Sequence, residues 1–145
     1  DVTELNKKVH ADDFEISIAD ITNGAIGLLD EVAAPDGKLP GEENEFAHTD
    51  LYDFYANVEG ANVAFLSVRD IALAKGPKGE KLVAQLDKQF AAMFKLLGQY
   101  GSYDKGFVFY DTVTNEERNE LGAQLNALSE PLSKLTGTVL GIKGE

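Results

Sequence analysis

The sequence predicts an all-α fold, an antiparallel up-and-down four-helix bundle. In four segments, apolar residues recur at steps of three and four, the spacing that lines one side of a helix. Clusters of proline and glycine separate most of these segments. The segment Phe107 to Tyr110 is β-prone but too short and isolated to predict a sheet, and we interpret it as an apolar loop plug. The 145 residues, 43% of them hydrophobic, therefore suit one helical domain over residues 1–145.

The first two helices are predicted at about residues 17–33 and 49–75. The apolar stripe of the first comprises Ile18, Ile21, Ala25, Leu28 and Val32. The longer stripe of the second comprises Leu51, Phe54, Val58, Ala61, Phe65, Val68 and Ala72. A loop rich in proline and glycine separates these helices, and Gly76, Pro77 and Gly79 end the second one.

The third and fourth helices are predicted at about residues 79–100 and 114–140. The apolar side of the third comprises Leu82, Leu86, Phe90, Met93, Leu97 and Tyr100. Thr114 and Glu117 have the spacing of a capping box, which begins the fourth helix. Its stripe comprises Leu121, Leu125, Leu128, Leu132, Leu135 and Val139, with Pro131 as a predicted kink.

The first residues of the chain indicate a further helix. Val2, Leu5 and Val9 are spaced like the last turns of a helix whose beginning is missing. The chain also begins with aspartate rather than methionine. We therefore expect it to be a piece of a longer protein.

The charge and the cysteine content restrict the function. Twenty-five acidic against thirteen basic residues give a formal net charge of −12, which repels nucleic acid and attracts cations. We therefore expect no nucleic-acid partner. Because cysteine is absent, a bound metal would be held by carboxylate, imidazole or phenolate groups, which favours hard or borderline cations.

A second stripe runs beside the apolar seam of the second predicted helix. It comprises His48, Tyr52, Tyr55, Glu59, Asn62 and Leu66. If the helix begins early enough, His48 and Glu59 point within about 20° of each other and could face one cavity. Asp50, Asp53 and Asn57 point the other way. Two tyrosines flanking a carboxylate suit a partly buried polar site, but ordinary packing at the rim of the core produces the same pattern.

The stripe alone does not complete a metal site. One glutamate and one histidine fall short of the three or four donors that a tightly bound cation requires. His10 lies in an acidic loop and is a weaker candidate. Glu42, Glu43 and Glu45 precede the second helix, where they favour its positive N-terminal end or form a weak cation site. The common hydrolase and nucleotide-binding signatures are absent from the sequence.

Four blocks of sequence resemble a known family. They are NGAIGLLDEVA, GEENEFAHTDLYDFYANVEGA, LVAQLDKQFAAM and LNALSEPLSKLTG. In order and spacing they resemble the C-terminal half of the imelysin-like domain of EfeO-type iron-uptake proteins. The resemblance covers nearly the whole chain, and no single short motif carries it.

The resemblance implies one half of an imelysin-like double bundle, in a protein exported to the periplasm or the outer face of the cytoplasmic membrane, as a lipoprotein or with a signal. It implies a non-enzymatic, metal-binding role in iron uptake, alongside a membrane iron permease and a haem peroxidase. Iron is the expected metal, with zinc, copper or calcium as alternatives. Some relatives bind acidic polysaccharide such as alginate, and others are named as metallopeptidases, so both functions remain alternatives.

The resemblance also selects site residues. The carboxylate of the ANVEGA block carries over onto Glu59 as a metal ligand, and His48 of the HTDL block carries over as a residue that lines the site and is the second candidate metal ligand. Tyr52 and Tyr55 are expected to line the wall that faces the N-terminal half of the domain. The family's H-x-x-E pair belongs to that half, and His10 with Asp13 does not match its context. The remaining metal ligands are therefore expected from the absent half.

Overall fold

The protein is described by a computed structural model, which covers residues 1–142. Its helices are α1 Val2–Val9, α2 Ile18–Ala33, α3 Asp50–Leu73, α4 Pro77–Leu97, α5 Asn115–Leu132 and α6 Leu135–Leu140. Two short strands, β1 Gly101–Ser102 and β2 Gly106–Phe107, pair antiparallel, and a 3-10 turn spans Tyr110–Thr112. The predicted all-α fold is confirmed.

Helix α3 forms the centre of the core and packs against both α2 and α4. All seven residues of its predicted seam are at most 1% exposed. Phe65 stacks on Phe90 of α4 with ring centroids 5.6 Å apart. One turn further along α3, Arg69 forms an ion pair with Asp87, which lies earlier in α4. The order of these contacts shows that α3 and α4 run antiparallel.

The buried face of α2 is rotated slightly about the helix axis relative to the predicted stripe. Its buried residues are Thr22, Ala25, Leu29 and Val32, whereas the predicted Ile18, Ile21 and Leu28 are only partly buried. The difference arises because α2 packs against both α3 and α6. Thr136 in α6 contacts the Thr22 hydroxyl at 2.8 Å, and Asn57 in α3 donates a hydrogen bond to the Leu28 carbonyl.

The capping box before α5 is confirmed. The Thr114 hydroxyl accepts a hydrogen bond from the Glu117 amide at 3.3 Å, and the Glu117 carboxylate accepts one from the Thr114 amide at 2.7 Å. These hydrogen bonds from the Thr114 backbone and side chain lower the pKa of Glu117. The capping box therefore satisfies the backbone amides of Thr114 and Glu117 at the start of α5.

The prediction of one continuous helix over residues 114–140 is wrong. Helix α5 ends at Leu132 and α6 begins at Leu135. Pro131 lacks an amide hydrogen, so it removes one backbone hydrogen bond from the last turn. The Lys134 amide then bonds the Pro131 carbonyl at 3.1 Å, the tighter three-residue spacing that ends the helix. Pro131 thus separates two helices and does more than kink one.

The predicted N-terminal helix is present as α1. Its first turn is capped by the Asp1 side chain, which accepts a hydrogen bond from the Glu4 amide at 3.0 Å. All of its residues are exposed, including Val2 at 83% and Leu5 at 61%. Nothing within residues 1–142 therefore covers the apolar stripe of this helix.

The segment Phe107 to Tyr110 is only partly the predicted plug. Tyr110 is buried and Phe107 is half-buried, but Val108 and Phe109 are exposed. The expectation that this segment takes no part in a sheet is also wrong, because Phe107 pairs with Gly101. Gly101 and Gly106 have φ angles of 145° and 79°, which favour glycine. These two glycines allow the hairpin to form.

Tyr110 fixes the loop between α2 and α3. Its hydroxyl donates a hydrogen bond to the Leu39 carbonyl, and its amide donates one to the His48 carbonyl at 2.9 Å. The Arg118 guanidinium lies 4.3 Å from the centre of its ring and donates to the carbonyls of Pro40 and Tyr110. The loop that leads into α3 is therefore attached to α5 through buried Tyr110 and directly through Arg118.

Burial of Tyr110 predicts a loss of stability at high pH. Desolvation is the main reason that the pKa of Tyr110 rises from 10.0 to about 12. The folded state keeps the phenol proton where the unfolded state releases it, so this stabilisation is complete below pH 10 and lost as the pH rises through 12. A shift of two units corresponds to about 3 kcal/mol.

The Tyr110→Phe variant is the control for this loss. We expect denaturant unfolding between pH 9 and about 12 to show a steeper decrease for the wild type than for the variant. Parallel decreases for the two proteins would show that Tyr110 does not hold its proton more tightly in the folded state.

Candidate functional site

Helix α3 places Tyr52, Tyr55 and Glu59 on one side, at steps of three and four residues. The two tyrosines are half-buried and Glu59 is exposed. This gradation follows from their position beside the buried seam, because the helix turns about 100° per residue. The three residues therefore form a wall that begins in the core and ends in solvent.

Aromatic side chains from α4 and the hairpin cover the two tyrosines. The Tyr52 ring lies 4.9 Å from Phe107, and the Tyr55 ring lies 5.4 Å from Phe94 and 4.9 Å from Tyr103. The Tyr52–Phe107 and Tyr55–Tyr103 pairs meet edge to face, a favourable geometry for aromatic rings. Tyr52 and Tyr55 are thus packed at the rim of the core while they also border Glu59. Packing at the rim of the core and a polar site beside Glu59, the two interpretations of the stripe, are therefore compatible.

Tyr103 also packs against this wall, where the helical spacing of α3 did not place it. Desolvation raises the pKa of Tyr103, and the nearby charge of Glu59 raises it further. The Tyr103 side chain is 48% exposed. Tyr103 lies in the polar segment SYDKG, which carries no periodic signal. Only the hairpin brings it against α3.

His48 lies outside the helix that was predicted to carry it. Helix α3 begins at Asp50 with Thr49 as its N-cap, and His48 has a left-handed backbone with φ of 54°. The helix therefore begins too late to include His48 in the stripe of Tyr52, Tyr55 and Glu59. From Asp50 to Glu59 the helix rises about 14 Å, so α3 does not bring the side chains of His48 and Glu59 together.

The opposite side of α3 has a structural role. Asp50 is fully buried, and one of its carboxylate oxygens accepts a hydrogen bond from the Asn44 amide at 3.2 Å. Asp53 accepts one from the Asn44 side chain at 2.6 Å. Asn57 donates to the Leu28 carbonyl of α2 at 2.8 Å. These residues point away from Glu59, as predicted, and attach α3 to its neighbours.

Two of the other candidate ligands, Glu43 and His10, have local partners. Lys38 is only 5% exposed, and its ammonium lies 2.6 Å from the Glu43 carboxylate and 3.9 Å from that of Glu31. The Lys38 ammonium thus neutralises part of the negative charge of the acidic loop. The Nδ1 atom of His10 lies 2.8 Å from the Asn6 carbonyl at the end of α1. Within residues 1–142, no three histidine, aspartate or glutamate side chains are grouped closely enough to hold a metal ion.

Comparison with known proteins identifies the family. A sequence model of the imelysin family, Peptidase_M75, matches residues 1–135. The chain belongs to the imelysin family. The predicted resemblance is therefore confirmed. No helix in the described part of this imelysin chain is both long and apolar enough to cross a membrane.

Two kinds of curated relative resemble this imelysin chain over nearly its whole length. The iron uptake system component EfeO of Escherichia coli K12 is 39% identical over 142 residues, which are 98% of this chain and 36% of the relative. EfeO of Shigella flexneri gives the same values. EfeM of Pseudomonas syringae is 38% identical over 138 residues, which are 94% of this chain and 46% of the relative. The chain thus spans less than half the length of these relatives.

Proposed function

We propose that this chain is part of a metal-binding, non-enzymatic component of an iron-uptake system, with iron as its cargo and Glu59 as a metal ligand. The relatives that match it over 94–98% of its length are named iron uptake system components. The net charge of −12 supports the proposal, because it raises the local concentration of cations.

The position of Glu59 is the observation that carries the metal-binding proposal. Its carboxylate is exposed and makes no ion pair with any of residues 1–142. It lies at the solvent end of a row of tyrosines whose rings are packed. Carboxylate and phenol oxygens are donors that hard cations prefer. The free carboxylate is thus available to a cation.

The remaining ligands of the ion would come from the N-terminal half of the same imelysin domain. Val63 and Leu66, which follow Glu59 on α3, are 61% and 52% exposed, an apolar surface that a second bundle would cover. The greater length of the relatives leaves room for such a segment. Because His48 precedes α3 and the helix rises about 14 Å between Asp50 and Glu59, we propose that His48 lines the covered wall and does not share an ion with Glu59.

The cellular context of the proposal follows from the uptake role. We propose that the protein acts outside the cytoplasm, in the periplasm or at the outer face of the membrane. There it would pass iron to a membrane permease, with a haem peroxidase as a further component. Co-purification of the intact protein with the permease would support this arrangement.

One observation favours a second candidate function. The exposed ring of Tyr103, packed against Tyr55, is a surface on which a sugar ring could stack, as expected of an acidic-polysaccharide-binding protein. The chain's negative charge opposes such a ligand unless cations bridge the two. Binding of alginate-like polymers that survives chelation would favour this function over iron binding.

The Glu59→Gln variant tests the proposed ligand. We expect calorimetric titration of the intact protein with iron to show at least about tenfold weaker binding, about 1.4 kcal/mol, because the substitution removes an anionic donor while preserving the side-chain volume. Glu80→Gln is the control, since Glu80 is exposed in the first turn of α4, outside the wall. Equal affinities for the wild type and Glu59→Gln would exclude Glu59 from the site.

A further inference from the structure

The outer face of α4 carries a lysine row, formed by Lys81, Lys88 and Lys95 with Ala84 and Ala91 between them. The spacing of seven residues keeps the three lysines within about 40° of one another over a length of about 21 Å. All five residues are exposed. We propose that the lysine row is a docking surface for the anionic headgroups of a phospholipid membrane. Such docking is independent of metal binding.

The charge around α4 is opposite to that of the rest of the chain. Residues 75–99 contain five lysines and two acidic residues, a formal net charge of +3. Since the whole chain has a net charge of −12, the remaining residues carry −15. An anionic surface therefore attracts α4 and repels the rest of the molecule. The charge distribution thus determines which face approaches the membrane.

The charges of the lysine row are not neutralised by neighbouring acids. In the described part of the chain, none of its three lysines forms an ion pair. On the side that faces α3, Asp87 is already paired with an arginine, and Glu80, seven residues earlier, lies on the same side. On the side that faces α5, Glu120 borders the same groove as Lys95 and marks the edge of the row.

The residue types favour a membrane over a ligand of defined shape. A lysine ammonium is a compact, hydrated point charge on a flexible stem, whereas bidentate recognition of one carboxylate or phosphate is typical of arginine. The alanines between the lysines add no bulky side chain that would hold the ammonium groups away from a flat surface. A straight row of point charges can therefore contact several headgroups at once.

Screening by salt limits the repulsion from the rest of the molecule. The attraction between a lysine and anionic lipids acts within a Debye length, about 8 Å at physiological ionic strength. The axes of packed helices lie about 8–10 Å apart. Acidic residues on the far side of the bundle are therefore largely screened from a membrane that contacts α4.

Docking through the lysine row leaves the wall of Tyr52, Tyr55 and Glu59 accessible. Phe94 immediately precedes Lys95 and packs against Tyr55 with ring centroids 5.4 Å apart. Since consecutive helical residues point about 100° apart, the wall lies beside the lysine row and is not covered by the membrane. This orientation suits a protein that passes iron to a membrane permease.

Binding to lipid vesicles tests the docking surface. We expect the intact protein to co-sediment with vesicles of equal parts phosphatidylglycerol and phosphatidylcholine, and far less with vesicles of phosphatidylcholine alone. The triple variant Lys81→Gln/Lys88→Gln/Lys95→Gln should bind the anionic vesicles about 100-fold more weakly, because each lysine near an anionic surface contributes a factor of about five. Added salt should weaken the binding of the wild type.

A second triple variant is the matched control. Lys8→Gln/Lys105→Gln/Lys134→Gln removes three exposed lysines outside the lysine row and lowers the net charge by the same amount. It should bind the anionic vesicles nearly as well as the wild type. Thermal unfolding followed by circular dichroism, with a shared transition for the three proteins, would show that loss of binding is not loss of the fold.

The outcomes separate this docking surface from the proposed function. Loss of vesicle binding with unchanged iron affinity in the row variant supports the docking surface. Equal losses in the two triple variants would show that total charge, and not the lysine row, controls binding. A wild type that binds both kinds of vesicle equally, or neither, would exclude electrostatic docking. Binding of the wild type to soluble alginate but not to anionic vesicles would make a polysaccharide the partner and contradict the membrane assignment.

Discussion

Tyr110→Ala is expected to lower the free energy of unfolding by about 3–5 kcal/mol, as large-to-small changes of buried aromatic residues do. The side chain is 1% exposed, so the substitution leaves a cavity beside Arg118. It also leaves the Leu39 carbonyl without the tyrosine hydroxyl and removes the ring that the guanidinium covers. Urea unfolding followed by circular dichroism measures the effect.

Two variants separate the contributions of Tyr110. Tyr110→Phe keeps the ring and removes one buried hydrogen bond, which should cost about 1–3 kcal/mol. Phe109→Ala alters the neighbouring side chain, which is 62% exposed, and should change stability by less than about 0.5 kcal/mol. If Phe109→Ala proved as destabilising as Tyr110→Ala, the assignment of the buried residue in this segment would be wrong.

The core of the bundle could be predicted from the sequence because local spacing determines it. The seven seam residues of α3 alternate by three and four over about six turns, and a helix buries all of them on one side. The capping box at Thr114 is equally local, because both of its hydrogen bonds join residues three apart. Such features require no knowledge of distant parts of the chain.

The hairpin and the residues it positions could not be predicted in the same way. Gly101 and Phe107 pair across a turn, and Tyr103 reaches Tyr55 only after that turn has formed. Periodicity contains no information about such a contact, and a polar segment with two glycines is also typical of an ordinary loop. The feature that distinguishes this hairpin is a pair of glycines with positive φ, Gly101 just before SYDKG and Gly106 at its end.

His48 and Asp50 show a second limit of the same reasoning. The rotation rule places both residues on a helix, but it does not show where the helix begins. The left-handed backbone of His48 is set by its hydrogen bonds to Asn44 and Tyr110. Asp50 is buried because the preceding loop folds over it. Both features depend on the loop, and its conformation depends on Tyr110.

Gly79→Ala is expected to destabilise the protein by about 3 kcal/mol, the upper part of the usual range for overpacking. Gly79 is buried in the first turn of α4. An added Cβ atom would overlap the carbonyl oxygen and carbon of Ala72 near the end of α3. Because both clashing atoms are backbone, they cannot rotate away, and the connection between the helices would have to open. Thermal unfolding measures the decrease.

Gly27→Ala gives the opposite expectation and is therefore the control. Gly27 lies in α2, is exposed, and an added Cβ atom would meet nothing within 4 Å. Alanine should stabilise this helix by up to about 1 kcal/mol, because glycine loses more conformational entropy on folding. If both substitutions raised the melting temperature, α3 and α4 would not approach as closely at Ala72 and Gly79 as described. Destabilisation by Gly79→Ala alone would locate the close packing of the two helices at that turn.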